Sequence, residues 1–165
     1  MLKENLLGGD LRSISKVSEI VKTIDNQQAF DTLVVFLSSS DRLLQMRSID
    51  AIEKITVNYS EFLIPHKSTF LELSKSEQAI EFKWHLAQLL PRLPLNQTEL
   101  TQLFETLKNW ALTTNESKIV RVNSIQALYD ITPKLLDRQE EFQQILANIQ
   151  QEDIPSLNAR IMRLI

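Results

Sequence analysis

Cysteine is absent from the 165 residues, which removes disulfides, thiolate nucleophiles and thiolate metal sites. Glycine is nearly absent: Gly8 and Gly9 are the only two. Tight hairpin turns depend on glycine, so its scarcity disfavours a β-rich fold. It also leaves no place for a GxGxxG or Walker-type phosphate loop, or for a GxSxG nucleophile elbow. The two histidines, His66 and His85, fall on different predicted helices without HxxxH or HExxH spacing, so no metal is expected. No apolar run approaches the ~18 residues of a membrane span. The opening Met1-Leu2-Lys3-Glu4-Asn5 lacks a signal-peptide profile. The expectation is a cytoplasmic protein with no membrane contact. Neither sign of charge dominates: 18 Lys/Arg against 21 Asp/Glu give a net charge of -3. Nothing in that balance draws the chain toward nucleic acid or anionic lipid.

What remains is an ordinary globular composition, 43% hydrophobic and 24% charged, arranged with helical periodicity. After Gly8-Gly9-Asp10, Leu11, Ile14, Val17, Ile20, Val21 and Ile24 recur at helical spacing. Phe30, Leu33, Val34 and Leu37 mark a second helix; Leu44, Met46, Ile49, Ile52 and Ile55 mark a third. Short helices follow after Pro65 and from Ala79 to Leu90, where Phe82, Leu86, Leu89 and Leu90 share a face. Thr98 to Leu112 turns Leu100, Leu103, Phe104, Leu107 and Trp110 or Ala111 inward. Ile119, Val122, Ile125, Leu128 and Tyr129 form the next stripe, and Glu140–Ile149 and Pro155–Ile165 complete about nine helices. All five prolines lie at or beside predicted helix ends, where a lost N–H is tolerated. The chain reads as all-α.

Internal similarity organises these helices. Arg12-Ser13-Ile14 resembles Arg47-Ser48-Ile49, and a basic residue recurs at Arg12, Arg47, Lys83, Arg121 and Arg160, at steps of 35, 36, 38 and 39 residues. Six residues ahead of three of these stands a polar turn residue: Asp41, Glu77 and Asn115. Asp153 stands seven ahead of Arg160. With these residues the chain resembles the HEAT-repeat (armadillo-like) α-solenoids. In that family a turn carboxylate and a following arginine form a ladder within and between stacked helix pairs. The resemblance implies a single α-α superhelix over 1–165. It would comprise an N-terminal extension (1–9), an orphan helix (10–25) and about four helix-pair repeats over 27–165. Asp41, Arg47, Glu77, Lys83, Asn115 and Arg121 would then be structural, fixing the angle between units, with partly exposed pairs contributing only ~0–1 kcal/mol each. One inconsistency stands inside this reading. The stripe Ile49, Ile52, Ile55 is one residue out of step with Val122, Ile125, Leu128 when Arg47 is laid on Arg121, so either the ladder or the core alignment is displaced.

No constellation calls for a cofactor or a catalytic group. The leading expectation is a non-enzymatic interaction module that holds a protein or peptide partner on the inner surface of the second helices. Lys83, Trp84, His85, Arg121 and Asn123 are the candidate partner-binding residues, chosen by helix phase. His85 otherwise reads as an exposed or capped helix residue, and Trp110 as core. The alternative is a DNA-alkylation-repair-glycosylase-like HEAT protein, for which Lys83, Trp84, Trp110, Lys118, Arg121 and Asp130 supply the residue types. Charge opposes it: residues 83–165 hold nine Lys/Arg and nine Asp/Glu, whereas many phosphate contacts need a basic stripe. The apolar end, Ile161-Met162-Arg163-Leu164-Ile165, either folds back onto the Glu140 helix, in a monomer, or pairs with a second subunit.

Overall fold

A computed structural model describes residues 2–7 and 14–165. Gly8, Gly9, Asp10, Leu11 and Arg12 lie outside the described residues, so the first rung of the expected ladder is not placed. The described residues form ten α-helices and no strand, as the sequence predicts: α1 (Leu2–Leu7), α2 (Ile14–Thr23), α3 (Gln27–Phe36), α4 (Arg42–Ile55), α5 (Lys67–Lys75), α6 (Ile80–Leu89), α7 (Gln97–Leu112), α8 (Lys118–Ile131), α9 (Gln139–Gln150) and α10 (Pro155–Ile161). The extra helix is α1, inside the expected extension. At six residues it is too short to show a period, yet its Leu6 is buried.

Local chemistry sets the ends. Asn26 caps α3 by accepting from the Ala29 N–H at 2.9 Å, and Asp41 caps α4 by accepting from Leu43 and Leu44. Asn96 and Glu99 close a reciprocal capping box on α7. Pro91 and Pro133 sit in the 3-10 turns Leu90–Arg92 and Thr132–Lys134 that end α6 and α8, and Pro155 opens α10.

The chain divides into two compact units, residues 1–68 and 69–165. In the first, α2 and α3 pack on α4, and α1 packs on both α2 and α4. In the second, α8 lies between α6 and α10 in one layer, while α7 and α9 cover the other side. The C-terminal helix thus folds back on α8 and α9 through buried Leu157 and Ile161, leaving Met162 and Ile165 exposed.

The repeat shows in what each helix buries. The first helix of each pair carries one buried phenylalanine, Phe30, Phe70, Phe104 and Phe142, at steps of 40, 34 and 38 residues. In the second helices, Ser48-Ile49-Asp50-Ala51-Ile52-Glu53-Lys54-Ile55-Thr56 matches Ser124-Ile125-Gln126-Ala127-Leu128-Tyr129-Asp130-Ile131-Thr132, displaced by 76 residues. The matched Ser, Ile, Ala, Ile/Leu and Thr positions are buried in both. Buried Ser48 and Ser124 satisfy their hydroxyls by donating to the carbonyls of Leu44 (2.7 Å) and Val120 (2.8 Å) one turn back. Small buried side chains at these positions let neighbouring helices approach closely.

This register replaces both alignments: Ile49 falls on Ile125 and Ile52 on Leu128, so the expected stripe is displaced by three residues, about one turn, and Arg47 laid on Arg121 is displaced by two. The position equivalent to Arg121 is Gln45. The α8 stripe also shifts. Val120, Ile125, Leu128 and Ile131 are buried, whereas Ile119 and Tyr129, expected inward, are exposed. Apolar residues stand on both flanks of α8, so two phases fit the period equally well.

Candidate functional site

Three features of the second unit bear on function: an ionic ladder, a charged cluster between α7 and α9, and a groove along α6, α8 and α10.

The ladder pairs forward in sequence rather than within the expected turns. Lys83 on α6 reaches Glu116, the residue after Asn115, at the start of α8. It also lies 4.9 Å from the centroid of the buried Trp110 ring. Arg121 on α8 is 1% exposed. It forms a two-pronged pair with Glu152, the residue before Asp153, at 2.8 and 2.6 Å, and donates through Nε to the Ala111 carbonyl at 2.8 Å. Asn115 and Glu77 are exposed. Glu116 also accepts the Ser117 N–H, so one carboxylate both caps the turn and receives the neighbouring helix's cation. In the first unit, Gln45 fills the equivalent place, donating to the Leu37 carbonyl at the end of α3 at 2.8 Å. Arg47, two residues on, is buried on another face and donates to the Leu6 carbonyl of α1. Arg160 on α10 donates to Gln126 Oε1 at 2.7 Å.

Between α7 and α9, Lys108 bonds Glu141 at 2.7 Å, while Arg138 bonds Glu105 at 3.0 Å and Glu141 at 2.5 Å. The Lys108 bond, then that from Arg138, holds the Glu141 carboxyl below its ordinary 4.5. The Arg121 fork does the same for Glu152. In the first unit, bonds from Gln27 and then His66 (2.6 Å) lower Asp31. Carboxyls whose folded values are depressed add stability that is present above the unfolded value and lost as pH falls through the folded one. Thermal stability is therefore expected to hold at neutral pH and to decline below about 4.5. Glu152→Gln should be less stable at pH 7 but show a shallower acid decline. Melting curves across that range check both; an unchanged slope in the variant contradicts the assignment.

The groove has a volume of about 340 Å³. Ala87 and Gln88 of α6, with Pro91 and Arg92 just beyond it, form one wall. Asn123, Gln126, Ala127 and Asp130 of α8, at spacings of three, four and seven, form the floor, and Arg160 of α10 closes the far side. The start of α6 meets the start of α8 through Lys83 and Glu116, while their later turns share this groove, so the two helices run parallel. Gln126 links its neighbours, accepting from Arg160 and donating to Asp130 Oδ1 at 2.9 Å. Asn123 donates to the Ile119 carbonyl at 2.9 Å.

Of the five expected partner-binding residues, only Asn123 lines this groove. Lys83 and Arg121 belong to the ladder. His85 is buried, correcting its reading as an exposed residue: it lies on the inward side of α6 beside Leu86 and Leu89. Trp84 is half-buried with its ring stacked on that of His85, centroids 3.5 Å apart. It stands one turn ahead of Gln88 on the same face of α6. Gln88, Gln126, Asp130 and Arg160 were missed as groove residues. Their signal is a polar set at helical spacing opposite the buried stripe, ordinarily read as a solvated face.

A family model described as a HEAT repeat domain matches residues 4–165, nearly the whole described chain and both units. Neither the curated proteins nor the solved structures yield a match. Among the described residues no helix is long and apolar enough to cross a membrane.

Proposed function

Because the chain belongs to the HEAT-repeat family, whose helical repeats serve as protein-interaction scaffolds, we propose that it is a non-enzymatic scaffold. In this reading, an extended segment of a partner protein lies in the groove formed by α6, α8 and α10. The observation that carries this reading is the set of side-chain amides from Gln88, Asn123 and Gln126 in a single groove of about 340 Å³. An amide has two N–H donors and two oxygen lone pairs. Asn123 spends one donor on Ile119, and Gln126 spends one donor on Asp130 and one lone pair on Arg160. Each therefore keeps a donor and an acceptor, the pair that a peptide unit needs. Amides spaced by helix turns on two parallel helices can bond successive peptide units of an extended chain whatever its side chains. The volume lies at the lower end of ligand sites, room for part of a segment rather than a folded domain. Trp84, one turn further along α6, offers an apolar surface where the segment continues.

The nucleic-acid reading has less behind it. Trp110 and Arg121 are buried, and Lys83 is paired with Glu116, so three of its six residues serve the fold. Asn123→Ala combined with Gln88→Ala should weaken binding of peptides selected on the full chain by about tenfold, one net hydrogen bond or two. Fluorescence anisotropy measures this, and amide shift mapping should place the perturbed residues on α6, α8 and α10. Unchanged affinity with perturbations elsewhere contradicts the assignment of the groove.

A further inference from the structure

We propose that the groove selects a carboxylate in its bound segment, an Asp or Glu side chain, and that Arg160 is the residue that reads it. This rests on the peptide reading above and adds the chemistry of the ligand. Arg121 on the neighbouring helix is fully matched, with two carboxylate oxygens and a carbonyl, and Lys83 has Glu116. Arg160, the last cation of the series, has only the neutral Gln126 oxygen among the described residues. Yet it is half-buried and lines the groove. A guanidinium carries five N–H donors in a planar fork, and one bond to an amide leaves most of that fork facing the groove. Asp130 does not supply the missing anion. Gln126 stands between the two charges, giving its oxygen to Arg160 and its N–H to Asp130.

The chain as a whole carries a net charge of -3. A single carboxylate arriving in an extended segment satisfies the fork two-pronged, as Glu152 satisfies Arg121. A polyanion gains from one arginine but meets the net negative chain. An acidic residue in an otherwise unexceptional peptide is the ligand that fits both facts.

The test is selection of displayed random short peptides on the full chain and, in parallel, on Arg160→Gln and Arg160→Lys. The expected result is enrichment of Asp or Glu at one position on the wild type, lost on Arg160→Gln and kept on Arg160→Lys. A selected acidic peptide should bind Arg160→Gln at least about tenfold more weakly, the worth of a charge-assisted bond. Asp130→Asn should bind it a few-fold more tightly. That gain does not arise from misfolding, so the proposal stays testable if Arg160→Gln melts early. Selected peptides with no acidic preference, or a preference that persists on Arg160→Gln, overturn the role of Arg160 and leave the peptide groove standing. Failure to select any peptide overturns both.

Discussion

Arg121→Ala should lower the stability of the chain by about 3 kcal/mol, the cost of breaking a buried ion pair from one side. The sequence leads to an expectation of a partly exposed ladder worth ~0–1 kcal/mol per pair; the near-complete burial of Arg121 changes that value. With Arg121 at 1% exposure, its removal empties a large side-chain volume and strips the Ala111 carbonyl of its donor. It also leaves Glu152 facing the gap. Glu152 keeps some contact with solvent, which holds the loss to the lower part of the range for buried pairs. Arg121→Lys should cost less, about 1–2 kcal/mol, because one ammonium replaces a fork that meets Glu152 and Ala111 at once. Arg121→Met preserves most of the volume and should fall between these values. Urea denaturation measures the series through the midpoint at constant slope. If Arg121→Ala unfolds within about 1 kcal/mol of the wild type, the ladder has only the small value of surface pairs.

The all-α fold was legible because independent signals agreed: little glycine, prolines at helix ends and a long amphipathic stripe on α7 whose inward residues are all buried. The repeat was legible as a period of three to four dozen residues, but its register was not. Basic residues are conspicuous, and laying Arg47 on Arg121 followed them; the helices instead align through Ser48/Ser124 and Ala51/Ala127, small residues that carry no obvious chemistry. Their spacing of 76, twice 38, was present in the sequence and marks the tight contacts that set the repeat. The ladder partners were missed by one residue at each turn, Glu116 for Asn115 and Glu152 for Asp153. A capping position is read from local spacing, whereas a cross-helix pair depends on how two helices are placed, which periodicity does not contain. The groove was hidden for a related reason: Gln88, Asn123 and Gln126 come together only when α6 and α8 lie parallel at a fixed offset.

Phe104→Ala should be the most damaging single truncation in the second unit, at about 4 kcal/mol. Phe104 is completely buried in α7 and belongs to the series Phe30, Phe70, Phe104 and Phe142, one per first helix. The residues around it cannot collapse far, because α7 is held against both α8 and α9, so most of the vacated volume persists as a cavity. A further loss comes from Arg138, whose guanidinium lies 5.6 Å from the ring centroid, a contact worth about 0.5–1 kcal/mol at a partly exposed site. Tyr129→Ala is the discriminating control. The apolar period of α8 reads Tyr129 as inward, but it is 41% exposed, with its ring at the edge of Phe142 (centroids 6.5 Å). It should cost about 1 kcal/mol, an edge contact plus partial burial. Chemical denaturation of both variants therefore tests the register of the second unit directly. Comparable losses for Phe104→Ala and Tyr129→Ala place Tyr129 in the core, and with it the alternative phase of α8. That phase turns Asn123 and Gln126 away from the groove.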